Sequence, residues 1–234
     1  MLGGKCRYCK DRINLEYLLV EVGMGILVGF LFWQSFQNFQ LTIFILDLFF
    51  KTFFVIILAV LFLTDLKKML IPDRIILPAI VISITFITVI TIIKIIFLYY
   101  YLNQTLLGQK LLESSDYFQR HALMAAEPLL GSILMGFLIG GFFMALIIVT
   151  KGKGMGGGDV KLGAFIGLGL GFPYSLVALM LAFLTGAILS IILIILGKKH
   201  FGQTIPFGPF LVLGSLIALY WGNWIIEWYL NLIH

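Results

Sequence analysis

The sequence predicts an all-α protein, a polytopic membrane helical bundle of about seven transmembrane segments. Three observations lead there. Of 234 residues, 61% are hydrophobic and 12% charged, whereas soluble domains carry roughly 25% charged residues. Mean hydropathy is +1.10. Ile, Leu and Phe fill runs near the roughly 20 residues that a helix needs to cross a bilayer.

The apolar runs fall at about 17–34, 44–64, 75–98, 129–149, 160–172, 174–196 and 207–224. The fifth is short and Gly-rich, and only Gly171, Phe172 and Pro173 separate it from the sixth. One broken element that enters and leaves the membrane is the alternative there. The longest connection, over 100–128, mixes Lys110, Glu113, Asp116, Arg120, His121 and Glu127 with Leu, Met and Ala. Its pattern predicts a short surface helix over 118–126, on the outer membrane face. His121 reads as a loop residue, and neither His200 nor His234 resembles a ligand or a base. The length suits one membrane domain, 17–234, preceded by a polar cytoplasmic segment, 1–16.

Formal charge is +5, and in a membrane chain basic residues chiefly set orientation. With the N-terminus cytoplasmic, the inner face collects Lys5, Arg7, Lys10, Arg12, Lys67, Lys68, Arg74, Lys151, Lys153, Lys161, Lys198 and Lys199. The loop from Gln34 to Gln40 carries no charge. Asp65 and Asp159 then both lie on the cytoplasmic side, and the C-terminus faces away from it. The only two cysteines, Cys6 and Cys9, have the spacing of a metal half-site or redox pair. The polar start is no signal-peptide apolar region. Gly131, Gly136, Gly140 and Gly141, with Gly163, Gly167, Gly169 and Gly171, cluster where membrane helices should cross closely.

Three carboxylates stand at inner membrane edges: Asp65 and Asp73 in TDLKKMLIPDR, and Asp159 in GMGGGDVKLGAF. Carboxylates at such depths need a compensating use. Asp65 and Asp73 would be about 12 Å apart along a continuous helix, and Pro72 disfavours that continuity. A close pair therefore uses Asp159 and one of the other two. Asp65 directly follows an apolar run and is the preferred partner. Asp73, after Pro72 and before a new span, reads as a helix N-cap.

Asp159 could also be an N-cap, but Gly154 and the run Gly156 to Gly158 exceed what capping needs. They would let a backbone approach closely, as an extended peptide substrate requires. Two carboxylates held together share a proton. One then activates water while the other protonates the carbonyl or the leaving amine. Neither a Ser–His arrangement nor an HExxH motif competes.

At these motifs the chain resembles the type IV prepilin peptidases, membrane aspartic proteases with a GxGD signature. The matching stretches are Asp65 with the following LKKMLIPDR, Gly156-Gly157-Gly158-Asp159-Val-Lys-Leu, and Ile205-Pro-Phe-Gly-Pro-Phe-Leu before the last span. Cys6-Arg-Tyr-Cys9 with the later Leu19-Val20-Glu21 also fits, so the resemblance covers most of the chain in order. It implies cleavage of basic leader peptides from prepilins or pseudopilins at the cytoplasmic face of the inner membrane. Bacterial members cut after a glycine, and many then N-methylate the new terminus with S-adenosylmethionine.

By this resemblance Asp65 and Asp159 are the catalytic pair. Gly156, Gly158, Lys161, Lys67, Lys68, Asp73 and Pro206 would support it or line the substrate path. The peptidase step needs no cofactor, and the expected partners are leader-bearing substrates and the lipid bilayer, with no nucleic acid. Full-length bacterial relatives carry an earlier CxxC that completes a four-cysteine zinc site, and a first membrane span before it. Cys6 and Cys9 supply two of the four ligands that a closed zinc site wants. Either the sequence lacks its N-terminus or this member has lost the site. Leu18 stands where proline is common in the family.

Two other readings compete: a small ion-coupled transporter using the aspartates as relays, and an inactive scaffold. Secondary transporters bind at the membrane midplane, whereas Asp65 and Asp159 share one edge. Retention of both aspartates speaks against the scaffold.

Overall fold

The computed structural model describes residues 15–36, 41–104, 106–113, 115–152, 155–197 and 206–233. Within them, every regular element is an α-helix. In chain order these are α1 (Leu15–Phe36), α2 (Leu41–Lys68), α3 (Asp73–Asn103), α4 (Leu106–Glu113), α5 (Ser115–Val149), α6 (Gly157–Leu170), α7 (Tyr174–Ile195) and α8 (Gly208–Ile233). Helices are what an apolar chain of this kind must form, because lipid satisfies no backbone N–H or C=O. Six of them, all but α4 and α6, are long and apolar enough to cross a membrane. The short fifth apolar run is α6, whose 14 residues rise only about 21 Å, less than the roughly 30 Å of a hydrocarbon core. The protein is thus a multi-pass membrane helical bundle.

Two compact units divide the chain, Met1–Ile56 and Ile57–His234. The first holds α1 and the start of α2. There Lys51 Nζ lies 2.7 Å from Asp47 Oδ2, one helical turn away, so the two charges within an apolar helix neutralise each other.

The second unit holds the end of α2 and the remaining helices. Hydroxyls on its apolar helices bond back to the preceding turn. Thr85, Thr88 and Thr91 on α3 donate to the carbonyls of Val81, Ile84 and Ile87, and Ser215 on α8 donates to Leu211. These four hydroxyls are satisfied without a partner helix.

Small residues set close helix contacts. A Cβ placed on Gly167 of α6 would lie 2.5 Å from the Met135 carbonyl oxygen of α5, and one on Gly136 of α5 would lie 2.7 Å from Leu168 Cγ. Further along, Gly140 faces Ala164, and Gly163 faces Ile139 and Phe143. Rising α6 numbers thus meet falling α5 numbers, so the two helices are antiparallel and nearly backbone to backbone. On α8, Gly214 meets Ala178 and Ala182 while Gly222 meets the Tyr174 ring, which makes α7 and α8 an antiparallel pair as well. Between α6 and α7 the chain turns at Gly171, φ 65°, a conformation that suits glycine.

Two expectations need correction. The segment 118–126 is not a separate surface helix: α5 runs unbroken from Ser115 through Pro128 to Val149. A proline costs a helix one backbone bond and some straightness, and here the long apolar stretch on its C-terminal side carries the helix through. Asp73 is not an N-cap either. Pro72 holds that position, no side chain caps the helix, and Asp73 is engaged elsewhere.

Candidate functional site

Asp65 lies in the last turn of α2 and is only 6% exposed despite its charge. The helix ends just beyond it: the Met69 N–H donates to the Asp65 carbonyl at 2.8 Å, and Met69 turns left-handed at φ 49°. Lys67 and Lys68 occupy the same last turn, where cations complement the negative end of the helix dipole. Both are exposed.

The wall against Asp65 comes from the start of α8. The Gly208 backbone N–H donates toward the Asp65 carboxylate. Gly208 also has no room for a side chain, because an added Cβ would overlap Asp65 Oδ2 and lie 3.0 Å from its Cγ. Pro206 and Phe207 lead into this contact, and the Phe207 carbonyl accepts the Phe210 and Leu211 N–H groups of the first turn. Asp65 Oδ2 itself is buried and has no hydrogen-bond partner. A buried polar atom left unpaired is costly.

Asp159 enters from α6. Gly156 is the N-cap, so Asp159 stands at the third helical position rather than capping the helix itself. Its N–H donates to the Gly156 carbonyl at 3.1 Å, and its carboxylate accepts from the Gly156 N–H. The carboxylate's bond from the N-cap N–H is one half of a capping box; Gly156 has no side chain to supply the other half. Burial, and secondarily the charge of Asp65, push Asp159 up to about 6, while the Gly156 N–H pulls the other way. The two aspartates, far apart in sequence, are therefore electrostatic neighbours.

The glycine run divides its work. Ile71, in the connection from α2 to α3, packs on Gly158, where an added Cβ would lie 3.0 Å from Ile71 Cβ. Gly156 and Gly157 are exposed, and beside Gly157 no atom stands within 4 Å of an added Cβ. Lys161 does not reach toward Asp159. Its Nζ lies 2.6 Å from Asp73 Oδ1 on α3.

Asp65, Asp159, Gly156, Gly158, Lys161, Asp73 and Pro206 thus come from four helix ends, those of α2, α3, α6 and α8, and the turns beside them. Cys6 and Cys9 lie outside the described residues. Among the described residues, no group of three or more His, Cys, Asp and Glu side chains could hold a metal ion. The contacts of Gly208 and Ile71 carry no separate signal in the sequence beyond their membership of the IPFGP and LIPDR stretches.

Comparison with known proteins follows the same residues. A family model for the type IV leader peptidase family matches residues 52–191, and one for the bacterial peptidase A24 N-terminal domain matches residues 1–35. The chain is 32% identical over 241 residues to a prepilin leader peptidase/N-methyltransferase of Aeromonas salmonicida, covering 99% of this chain and 67% of that protein. It is 30% identical over 230 residues to the one of Pseudomonas aeruginosa, covering 98% and 67%. For the one of Bacillus subtilis the figures are 28% over 229 residues, covering 98% and 75%. The chain spans about two thirds of the length of the first of these relatives. No solved structure matches it.

Proposed function

This chain belongs to the type IV leader peptidase family, and on that premise we propose that it is a membrane-embedded aspartic endopeptidase, with Asp65 and Asp159 as its catalytic pair. Its substrates are the leader peptides of type IV prepilins or pseudopilins. What supports this reading is a pair of carboxylates from distant helices: Asp65 carries a buried oxygen without a hydrogen-bond partner, and Asp159 is raised first by burial and then by the charge of Asp65.

The pair holds one proton between them. The ionised member takes a proton from water as the water oxygen bonds to the scissile carbonyl carbon. The protonated member gives its proton to the carbonyl oxygen, leaving a neutral gem-diol. In the second step the first carboxyl protonates the leaving nitrogen as the C–N bond breaks. The second carboxylate takes a diol proton back, and the pair returns to its starting state. The substrate strand lies along the open side of Gly156 and Gly157, where backbone can approach backbone.

The site opens to the cytoplasm. Lys67, Lys68, Arg74, Lys151 and Lys161 all belong to the helix ends on the Asp65 and Asp159 side of the second unit, as the positive-inside rule requires of an inner face in the cytoplasmic membrane.

N-methylation of the new terminus is the second activity in the relatives' names. S-adenosylmethionine would supply the methyl group. An open cavity lined by Leu134, Leu138, Phe142, Phe172, Leu176 and Leu179 is apolar and does not fit that charged donor. For zinc, Cys6 and Cys9 offer half a ligand set.

The test is cleavage of a synthetic leader-bearing prepilin by purified protein. Asp65→Asn and Asp159→Asn should each abolish cleavage while the protein remains folded and inserted. Full cleavage by both variants would sink the assignment. Mass spectrometry of the product terminus, with and without S-adenosylmethionine, separates cleavage from methylation. A proteoliposome flux assay addresses the transporter alternative, which no observation favours, since both aspartates stand at helix ends.

A further inference from the structure

We propose that Phe143 is a positioning residue for the carboxylate pair: its ring is a spacer between the helix that carries Asp159 and the segment that walls Asp65. The inference rests on the peptidase reading above and deepens it. Phe143 lies on α5 and is fully buried. One edge of its ring sits on bare backbone of α6, because a Cβ on Gly163 would lie 2.5 Å from Phe143 Cδ2 and 2.6 Å from Cε2. Gly163 follows Asp159 by one helical turn and shares its face of α6.

The same ring meets Phe207, with centroids 6.0 Å apart at 63°. Phe207 is held in turn by Phe183, at 5.0 Å, and its carbonyl anchors the first turn of α8. The next residue is Gly208, which abuts the Asp65 carboxylate. A single rigid ring therefore touches two segments, one a helical turn from Asp159 and the other one residue before the glycine that abuts Asp65. The pairing of a large residue at 143 with no side chain at 163 sets how far α6 stands from the Phe207–Gly208 corner. Misplacement of reacting groups by about 1 Å can cost on the order of 100-fold in rate, so this spacing reaches catalysis even though Phe143 touches neither substrate nor carboxylate.

The ring and the glycine should be exchangeable by size. Gly163→Ala forces a methyl into the ring's place, with Ile139 Cγ2 3.0 Å away on the other side. Phe143→Leu removes the ring and lets the segments collapse. Together they restore the fit. For the leader-bearing prepilin peptide, each single variant should lose roughly 10- to 100-fold in kcat, with KM changed less than about twofold and kcat counted per folded molecule. The double variant should return to within a few-fold of wild type. Equal kcat in wild type and both singles, or a double variant no better than the worse single, overturns the proposal.

A second readout needs no substrate. The pH dependence of carbodiimide labelling at Asp159, followed by mass spectrometry, reports how closely Asp65 faces it. The labelling midpoint should move in both single variants and return in the double variant. An unchanged midpoint overturns the proposal even if the wild type cleaves no leader. Absence of wild-type cleavage with shifted midpoints instead removes the peptidase reading and leaves the spacer.

Discussion

Lys161 on α6 and Asp73 on α3 form an ion pair, Nζ to Oδ1, at 2.6 Å. Lys161 is two residues beyond Asp159, which on a helix turns it about 200° away, so it reaches α3 while Asp159 feels the charge of Asp65 on α2. The pair ties together the two helices that start beside the site. Its side chains are 35% and 59% exposed, and ion pairs in that setting contribute about 0–1 kcal/mol. Asp73→Asn and Lys161→Met should each lower leader cleavage by about fivefold or less, far less than loss of Asp65 or Asp159. The exchanged pair, Asp73→Lys with Lys161→Asp, should recover most of the loss. Cleavage kinetics on the three variants check this, and a complete loss in Asp73→Asn would make Asp73 a member of the catalytic pair instead.

Gly208 gives the next prediction. Because an added Cβ would overlap the Asp65 carboxylate, Gly208→Ala must displace either Asp65 or the first turn of α8. Leader cleavage should fall roughly 100-fold or more, with membrane insertion intact. Wild-type kinetics in Gly208→Ala would show that the carboxylate works from another position.

Much of this was legible along the chain. Run length and hydropathy are one-dimensional properties, and the expected spans fall within a few residues of α1, α2, α3 and α7, while the last, 207–224, stops well short of the end of α8 at Ile233. The Asp65 and Asp159 motifs stand out for the same reason: charge at the end of an apolar run is visible in one dimension. What was not legible depends on which helices touch. Asp73 looks like a cap until Lys161, eighty-eight positions away, takes its carboxylate. Pro128 looks like a boundary until α5 is seen to continue through it. Nothing local to Phe143 distinguishes it from the many other phenylalanines; only Gly163 and Phe207, each on another element, give it a role.

The α5–α6 contact predicts a stability difference between two glycines of one helix pair. At Gly167 a Cβ would meet the Met135 carbonyl carbon at 2.6 Å and the Gly136 nitrogen at 2.7 Å. These are backbone atoms and cannot swing aside, so Gly167→Ala should cost about 1–3 kcal/mol by overpacking. Gly141 on α5 has no atom within 4 Å of an added Cβ, and Gly141→Ala should stabilise by about 0.5–1 kcal/mol through helix propensity. Thermal unfolding in detergent should therefore move in opposite directions for the two variants.

Asp159 makes the pH prediction. Its folded carboxyl is raised from 3.8 to about 6, first by burial and then by Asp65. Between those values the folded protein holds more proton than the unfolded chain, so stability falls as pH rises. The contribution is fully present below about 4 and is lost as pH passes about 6. Asp159→Asn cannot lose it. The Asn variant should melt at a higher temperature than wild type at pH 7.5, and that advantage should fade by about pH 4. Melting curves at both pH values decide it: the same difference at each would mean Asp159 is not raised. The same titration limits catalysis, because above the pair's upper apparent pKa no shared proton remains. For the wild type, kcat/KM should decline on the alkaline side with a midpoint near that of the melting difference. Asp65→Asn removes the second cause of the shift, so the midpoint for Asp159 should move down in that variant, read by carbodiimide labelling because cleavage is gone.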